Sequence, residues 1–181
     1  MSILPITVYG DQILREIAKP VENINGEVIE KIQDMFLTMR NASGIGLAAN
    51  QVGWDKQVFV IDLSVLEEYS DHKPVVMINP KIAESSDELV IYEEGCLSLP
   101  YLRADVERPE SILIKYLDTD EKEIELEVDD WFARVIQHEY DHLIGKMIPD
   151  RVEPQIKKSL QKDLLKIMKR QIDPEYPITE K

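Results

Sequence analysis

Residues 137–145 read QHEYDHLIG and place two of the chain's three histidines four positions apart, with Glu139 directly after the first. On a helix, residues i and i+4 stand one above the other, so His138 and His142 can reach a single ion. A glutamate beside such a pair has the chemistry to take and return a proton. Three histidines scattered at random would give this arrangement in roughly 0.4% of cases, so chance is a weak explanation. A buried, hydrogen-bonded histidine pair without an ion is the competing reading, and the motif alone does not name an enzyme.

A third ligand is needed. Zinc peptidases that draw it from downstream follow H-E-x-x-H-x-x-G-x-x-H. Here Gly145 fits the glycine position, but Ile148 stands where the last histidine belongs. Upstream, EEGCLSLP carries Cys96, the only cysteine of the chain. A lone cysteine is commonly a small buried hydrophobe. Between Gly95 and Leu97, in a short loop after a β-like run, it could also approach an ion held by a buried helix. Cysteine with two histidines leaves a fourth position for water, the pattern of a catalytic rather than a structural metal site.

These groups need a scaffold. Asp129 or Asp130 can cap the helix carrying the motif, and Gly145 sits where a helix C-terminal glycine belongs. Within it, the histidines and Glu139 share a largely apolar surface, while Asp130, Arg134, Gln137 and Asp141 form the polar side. Apolar residues at helical spacing predict an earlier helix over 26–40, with Asn25 as cap and a stop at 41–44. Runs at QVFVID, VVMINPKI, ELVIY, SILIKYLD and EIELEV read as strands, the last two joined by a turn at 119–122. Residues 63–74 read as a polar surface excursion. A last helix over 154–172, with Ile156, Leu160, Leu164, Ile167 and Met168 on its apolar face, precedes a polar tail at 173–181. Strands in series with helices near both ends predict an α+β fold, mainly antiparallel sheets around the metal-binding helix.

Composition narrows the setting. A chain of 181 residues is expected to form one domain, residues 1–181, large enough to bury a metal site without disulfides. One cysteine excludes an intramolecular disulfide, and no run approaches membrane-spanning length, so the cytoplasm is the expected compartment. The net charge of −14 opposes DNA binding through the general surface. The last helix departs from this balance: Lys157, Lys158, Lys162, Lys166, Lys169 and Arg170 stand against Asp163 alone. Either this is a solvated face attracted to its own acidic domain, or it is a weak electrostatic tether to ribosomal RNA.

Three segments together resemble the peptide deformylase family: GIGLAANQ at 44–51, EGCLS at 94–98 and HEYDH at 138–142. The helical C-terminus resembles the bacterial subgroup that ends in a helix. The resemblance implies hydrolytic removal of the formyl group from the N-terminal formylmethionine of nascent proteins. It implies Cys96, His138 and His142 as ligands of Fe2+, with Zn2+, Ni2+ or Co2+ as substitutes, and Glu139 as general base and then acid. Gln51 and the Leu97 N–H would stabilise the charge that builds on the formyl oxygen. Gly44, Ile45 and Gly46 would let an extended substrate lie close, Ile45 pairing with it as an added strand. Ile45, Tyr92, Trp131 and Val135 would line the methionine pocket. Glu94 and Arg103 would fix the second motif or the peptide backbone, or form an ion pair. A metallopeptidase of other specificity and a non-catalytic metal-binding module remain the alternatives.

Overall fold

The computed structural model describes residues 1–181. The first helix, α1 (Gly26–Asn41), starts where the Asn25 side chain accepts a hydrogen bond from the Val28 N–H at 3.0 Å. It stops in the expected segment, and Ser43 takes a left-handed conformation (φ 54°) just beyond it. Seven strands follow: β1 (Gly46–Ala48), β2 (Val58–Ile61), β3 (Val75–Ser85), β4 (Leu89–Cys96), β5 (Leu99–Pro109), β6 (Ile112–Leu117) and β7 (Glu123–Val128). The metal-motif helix α2 (Asp130–Leu143) and a final helix α3 (Pro154–Met168) complete the order.

Five strands form one antiparallel sheet in the order β1-β2-β3-β6-β7, while β4 and β5 pair as a separate hairpin. Strand β2 shows why this sheet sits at the centre. Side chains alternate across a strand, and all four residues of β2 are buried. Phe59 and Ile61 pack with Ala133, Ile136 and Leu143 of α2, while Val58 and Val60 pack with Ile32, Met35 and Met39 of α1. A helix therefore covers each face of the sheet, and α2 is fixed against it by its apolar stripe. The fold is α+β, with mainly antiparallel sheets around the motif helix.

Strand β5 was not among the strands expected, although its period is regular. Leu102, Ala104, Val106 and Arg108 are buried, while Tyr101, Arg103, Asp105 and Glu107 are exposed. Its inner face is one alanine, two aliphatic residues and an arginine, too weak an apolar signal to stand out. Leu102 and Val106 pack with Leu164 and Ile167, which docks α3 on the hairpin.

Two expectations about the C-terminus change. Helix α3 ends at Met168, earlier than position 172, because Arg170 adopts φ 57° and turns the chain. Arg170 also leaves the basic face: its guanidinium bonds Asp11 at 2.5 Å and the Thr179 carbonyl at 2.9 Å. The polar tail is fastened down, since Ile6 donates to the Pro177 carbonyl and Thr179 donates back to the Ile6 carbonyl, both at 2.9 Å.

Candidate metal centre

Helix α2 begins at Asp130, and Asp129 is its N-cap position but makes no side-chain cap hydrogen bond. Gly145 has φ 71°, the left-handed conformation that ends a helix, and a β-carbon there would lie 2.6 Å from the Arg15 carbonyl oxygen. His138 and His142 face the same side, with ring centroids 5.1 Å apart. Cys96 is not in a loop. It is the last residue of β4, opposite Leu99, with Leu97 and Ser98 forming the hairpin turn and a register shift just before it. That irregularity brings the thiol to the helix: Cys96 Sγ lies 3.2 Å from His142 Nε2. One donor atom from each of Cys96, His138 and His142 falls within 4.8 Å of the others.

Glu94 orients the first imidazole. Its Oε2 lies 2.9 Å from His138 Nδ1, which makes that nitrogen the donor and leaves Nε2 for the site. Glu94 Oε1 accepts from Arg108 Nε at 2.6 Å and Arg134 Nη1 at 2.9 Å, and Oε2 accepts from Arg108 Nη2 at 3.0 Å. Burial alone would raise the pKa of this carboxyl, but hydrogen bonds from His138 and Arg108 hold it well below the usual carboxylate range. With both oxygens engaged by His138, Arg108 and Arg134, Glu94 has no free oxygen for a peptide and supports the ligand, in keeping with its expected role of fixing the second motif. Nor does it pair with Arg103, which lies exposed 3.7 Å from Glu93.

The polar side of α2 is also buried. Arg134, Gln137 and Asp141 are each less than a tenth exposed. Asp141 accepts from Arg108 Nη1 at 2.7 Å and Arg151 Nε at 2.9 Å. Arg134 donates to the carbonyls of Val106 and Val90, and Gln137 donates to that of Pro109 at 3.0 Å. Every charge here has a partner, as burial demands.

On the opposite side two buried atoms have none, Glu139 Oε2 and His142 Nδ1. Burial pushes the Glu139 carboxyl up to about 7, and the charge of Glu94 adds to the rise. A carboxyl so placed can exchange a proton near neutrality. Gln51 completes the wall: Ala48 N–H donates to its Oε1 at 2.8 Å, which turns its amide N–H₂ toward Ser98 Oγ at 3.1 Å and Cys96 Sγ at 3.6 Å.

A groove of about 480 Å³ opens over these groups, walled by residues 42–46 on one side and by the β4–β5 turn on the other. The expected residues Ile45, Trp131 and Val135 line it, whereas Tyr92 does not. Tyr92 stacks behind Trp131, with ring centroids 5.3 Å apart, and has the Arg134 guanidinium over its ring. The glycines have a reason of their own. A β-carbon on Gly46 would lie 2.3 Å from Glu139 Oε1, and one on Gly44 would lie 2.8 Å from Leu97 Cδ1. A side chain at either position would have to displace one of the protein's own side chains, Glu139 or Leu97. The Ile45 carbonyl already accepts from the Asp62 N–H at 2.9 Å, while β1 keeps one edge of the sheet free. Two groups escaped sequence reasoning. Arg108 was hidden in the unrecognised strand, and Tyr176, in the supposed polar tail, lines the groove.

A thiol and two imidazoles around a shared point, with a buried unpartnered carboxyl and an amide donor beside an open groove, define the class of metal-dependent hydrolases. The polypeptide deformylase family matches residues 3–158. The peptide deformylase of Chlorobium phaeovibrioides is 46% identical over 176 residues, 97% of this chain and 92% of that relative. A solved peptide deformylase from Legionella pneumophila superimposes with a TM-score of 0.84 at 36% identity, covering 94% of this chain and 98% of that one. Another from Synechococcus elongatus, in complex with actinonin, gives 0.80 at 39% identity, covering 97% and 92%. This chain belongs to the polypeptide deformylase family.

Proposed function

We infer that this protein hydrolyses the formamide bond of N-formylmethionyl nascent peptides, releasing formate and a free amino terminus, with residues 1–181 acting as one catalytic domain. The observation that carries the reading is Glu139, buried beside the three ligands with Oε2 unpartnered. Cys96, His138 and His142 would hold one divalent ion, and a bound ion there supplies Lewis acidity and lowers the pKa of water. Glu139 takes a proton from the attacking water as its oxygen bonds to the formyl carbon. The same carboxyl then delivers that proton to the amine nitrogen as the C–N bond breaks. Gln51 Nε2 and the Leu97 N–H donate to the formyl oxygen while charge builds there. An extended peptide lies along the free edge of β1, and its methionine side chain enters between Ile45, Trp131 and Val135. Formate release from formyl-Met-Ala, with none from acetyl-Met-Ala or an internal peptide bond, is the expected outcome; cleavage of the internal bond would favour a metallopeptidase instead.

The working ion is ferrous iron, with zinc, nickel or cobalt able to replace it. Thiolate and imidazole suit these ions alike, but ferrous iron, unlike zinc or nickel, gives oxygen a ready route to damage both ion and thiolate. The iron form should therefore lose activity in air much faster than the nickel form, and equal lifetimes at verified metal content would contradict iron. A lone cysteine used as a ligand fits the reducing cytoplasm. No helix is long and apolar enough to cross a membrane.

A weak ribosome contact through α3 is supported by its exposed Lys157, Lys158, Lys162 and Lys166, with Lys169 exposed just past its end, even with Arg170 turned inward. Reversing Lys162, Lys166 and Lys169 to glutamate should reduce co-sedimentation with ribosomes at low salt. Sedimentation equal to that of the parent would remove the contact.

A further inference from the structure

The segment after α3 returns to the mouth of the groove, and its stitching is specific. At one end the Tyr101 hydroxyl, on the β4–β5 hairpin, donates to the Asp173 carbonyl at 2.6 Å. At the other end Ile6 donates to the Pro177 carbonyl and accepts from the Thr179 N–H, while Arg170 and Asp11 hold the Thr179 carbonyl and hydroxyl. Between these anchors the Tyr176 hydroxyl donates to the Leu97 carbonyl at 2.8 Å. Hairpin and tail thus each lend the other a tyrosine hydroxyl. Burial, with Cys96 and Tyr101 nearby, pushes the Tyr176 hydroxyl above its ordinary pKa, so it stays a donor wherever the enzyme works.

Tyr176 is half-buried and lines the groove beside Leu97 and Tyr101, on the hairpin side rather than on the Trp131 and Val135 side. A peptide whose first side chain enters beside α2 must carry its next residues past the hairpin turn. We propose that Tyr176 is a specificity-determining residue: its ring, held by the Leu97 carbonyl, is the wall met by apolar or aromatic side chains in the second and third positions of the substrate. This rests on the deformylase reading of the groove.

The test uses the full-length, metal-loaded protein with Tyr176→Ala and Tyr176→Phe. For the alanine variant, kcat/KM on formyl-Met-Leu-Phe should fall about tenfold more than on formyl-Met-Ala-Gly, with the difference residing in KM, as lost apolar contact requires. The phenylalanine variant keeps the ring and should restore most of that preference. Calorimetry with the product peptide Met-Leu-Phe should show a parallel weakening of about tenfold in the alanine variant. An equal loss on both substrates in the alanine variant, with unchanged product binding, would reduce Tyr176 to a structural clasp and overturn the proposal. A parent protein that releases no formate would refute the deformylase reading instead, and the product-binding comparison would still judge the tail.

Discussion

The two sides of α2 are equally buried and chemically opposite. On one side Arg134, Gln137 and Asp141 join Glu94, Arg108 and Arg151 in a network where every charged group has partners. On the other, Glu139 Oε2 and His142 Nδ1 have none, and three donor atoms lie within 4.8 Å of one another. An unpaired polar atom in a low-dielectric interior costs stability, so the difference marks where the helix is spent on chemistry rather than on holding itself in place. The saturated side aims the open one, because Glu94 joins the two through His138.

This contrast is easiest to break at Arg108, the one side chain that bonds both Glu94 and Asp141. Replacing it with Met should cost about 3–5 kcal/mol in urea unfolding, the range for removing one partner of a buried ion pair. A loss below about 1 kcal/mol would mean that the network does not hold the helix. A middle-sized effect is expected on the open side. Gly46→Ala would push a β-carbon against the Glu139 carboxyl, where only 2.3 Å is available, and overpacking of this kind costs about 1–3 kcal/mol. Its signature should be lower turnover at unchanged metal content, since Glu139 is displaced and the ligands are not. The smallest effect belongs to Arg151, whose side chain is about one-third exposed and whose partner Asp141 keeps Arg108. Arg151→Ala should cost about 1 kcal/mol, the worth of an ordinary hydrogen bond. A cost equal to that of Arg108→Met would show that the network has no graded interior.

How much of this was legible in the sequence follows the same division. The open side could be read because metal ligation imposes residue types and spacing: one helical turn between His138 and His142, a glutamate beside them, and a single cysteine near a strand end. The saturated side could not, because Arg134, Gln137 and Asp141 look like any solvated face until the partner strand is placed. That partner, β5, hides Arg108 in its inward register and carries too few apolar residues to declare itself. Tyr176 was missed for a related reason. A short polar tail gives no periodic signal, and only the tertiary return of the chain brings its ring to the groove.

The central claim is that the unpartnered carboxylate of Glu139 moves the proton and does not hold the ion. Glu139→Ala, loaded with metal beside the parent, tests it most directly through formate released from formyl-Met-Ala and metal retained per chain. Full metal content with turnover reduced by at least about 10²-fold is the expected result, the usual cost of losing an acid–base group. Near-parental turnover at full metal content would contradict the account, and loss of the metal itself would make Glu139 a ligand.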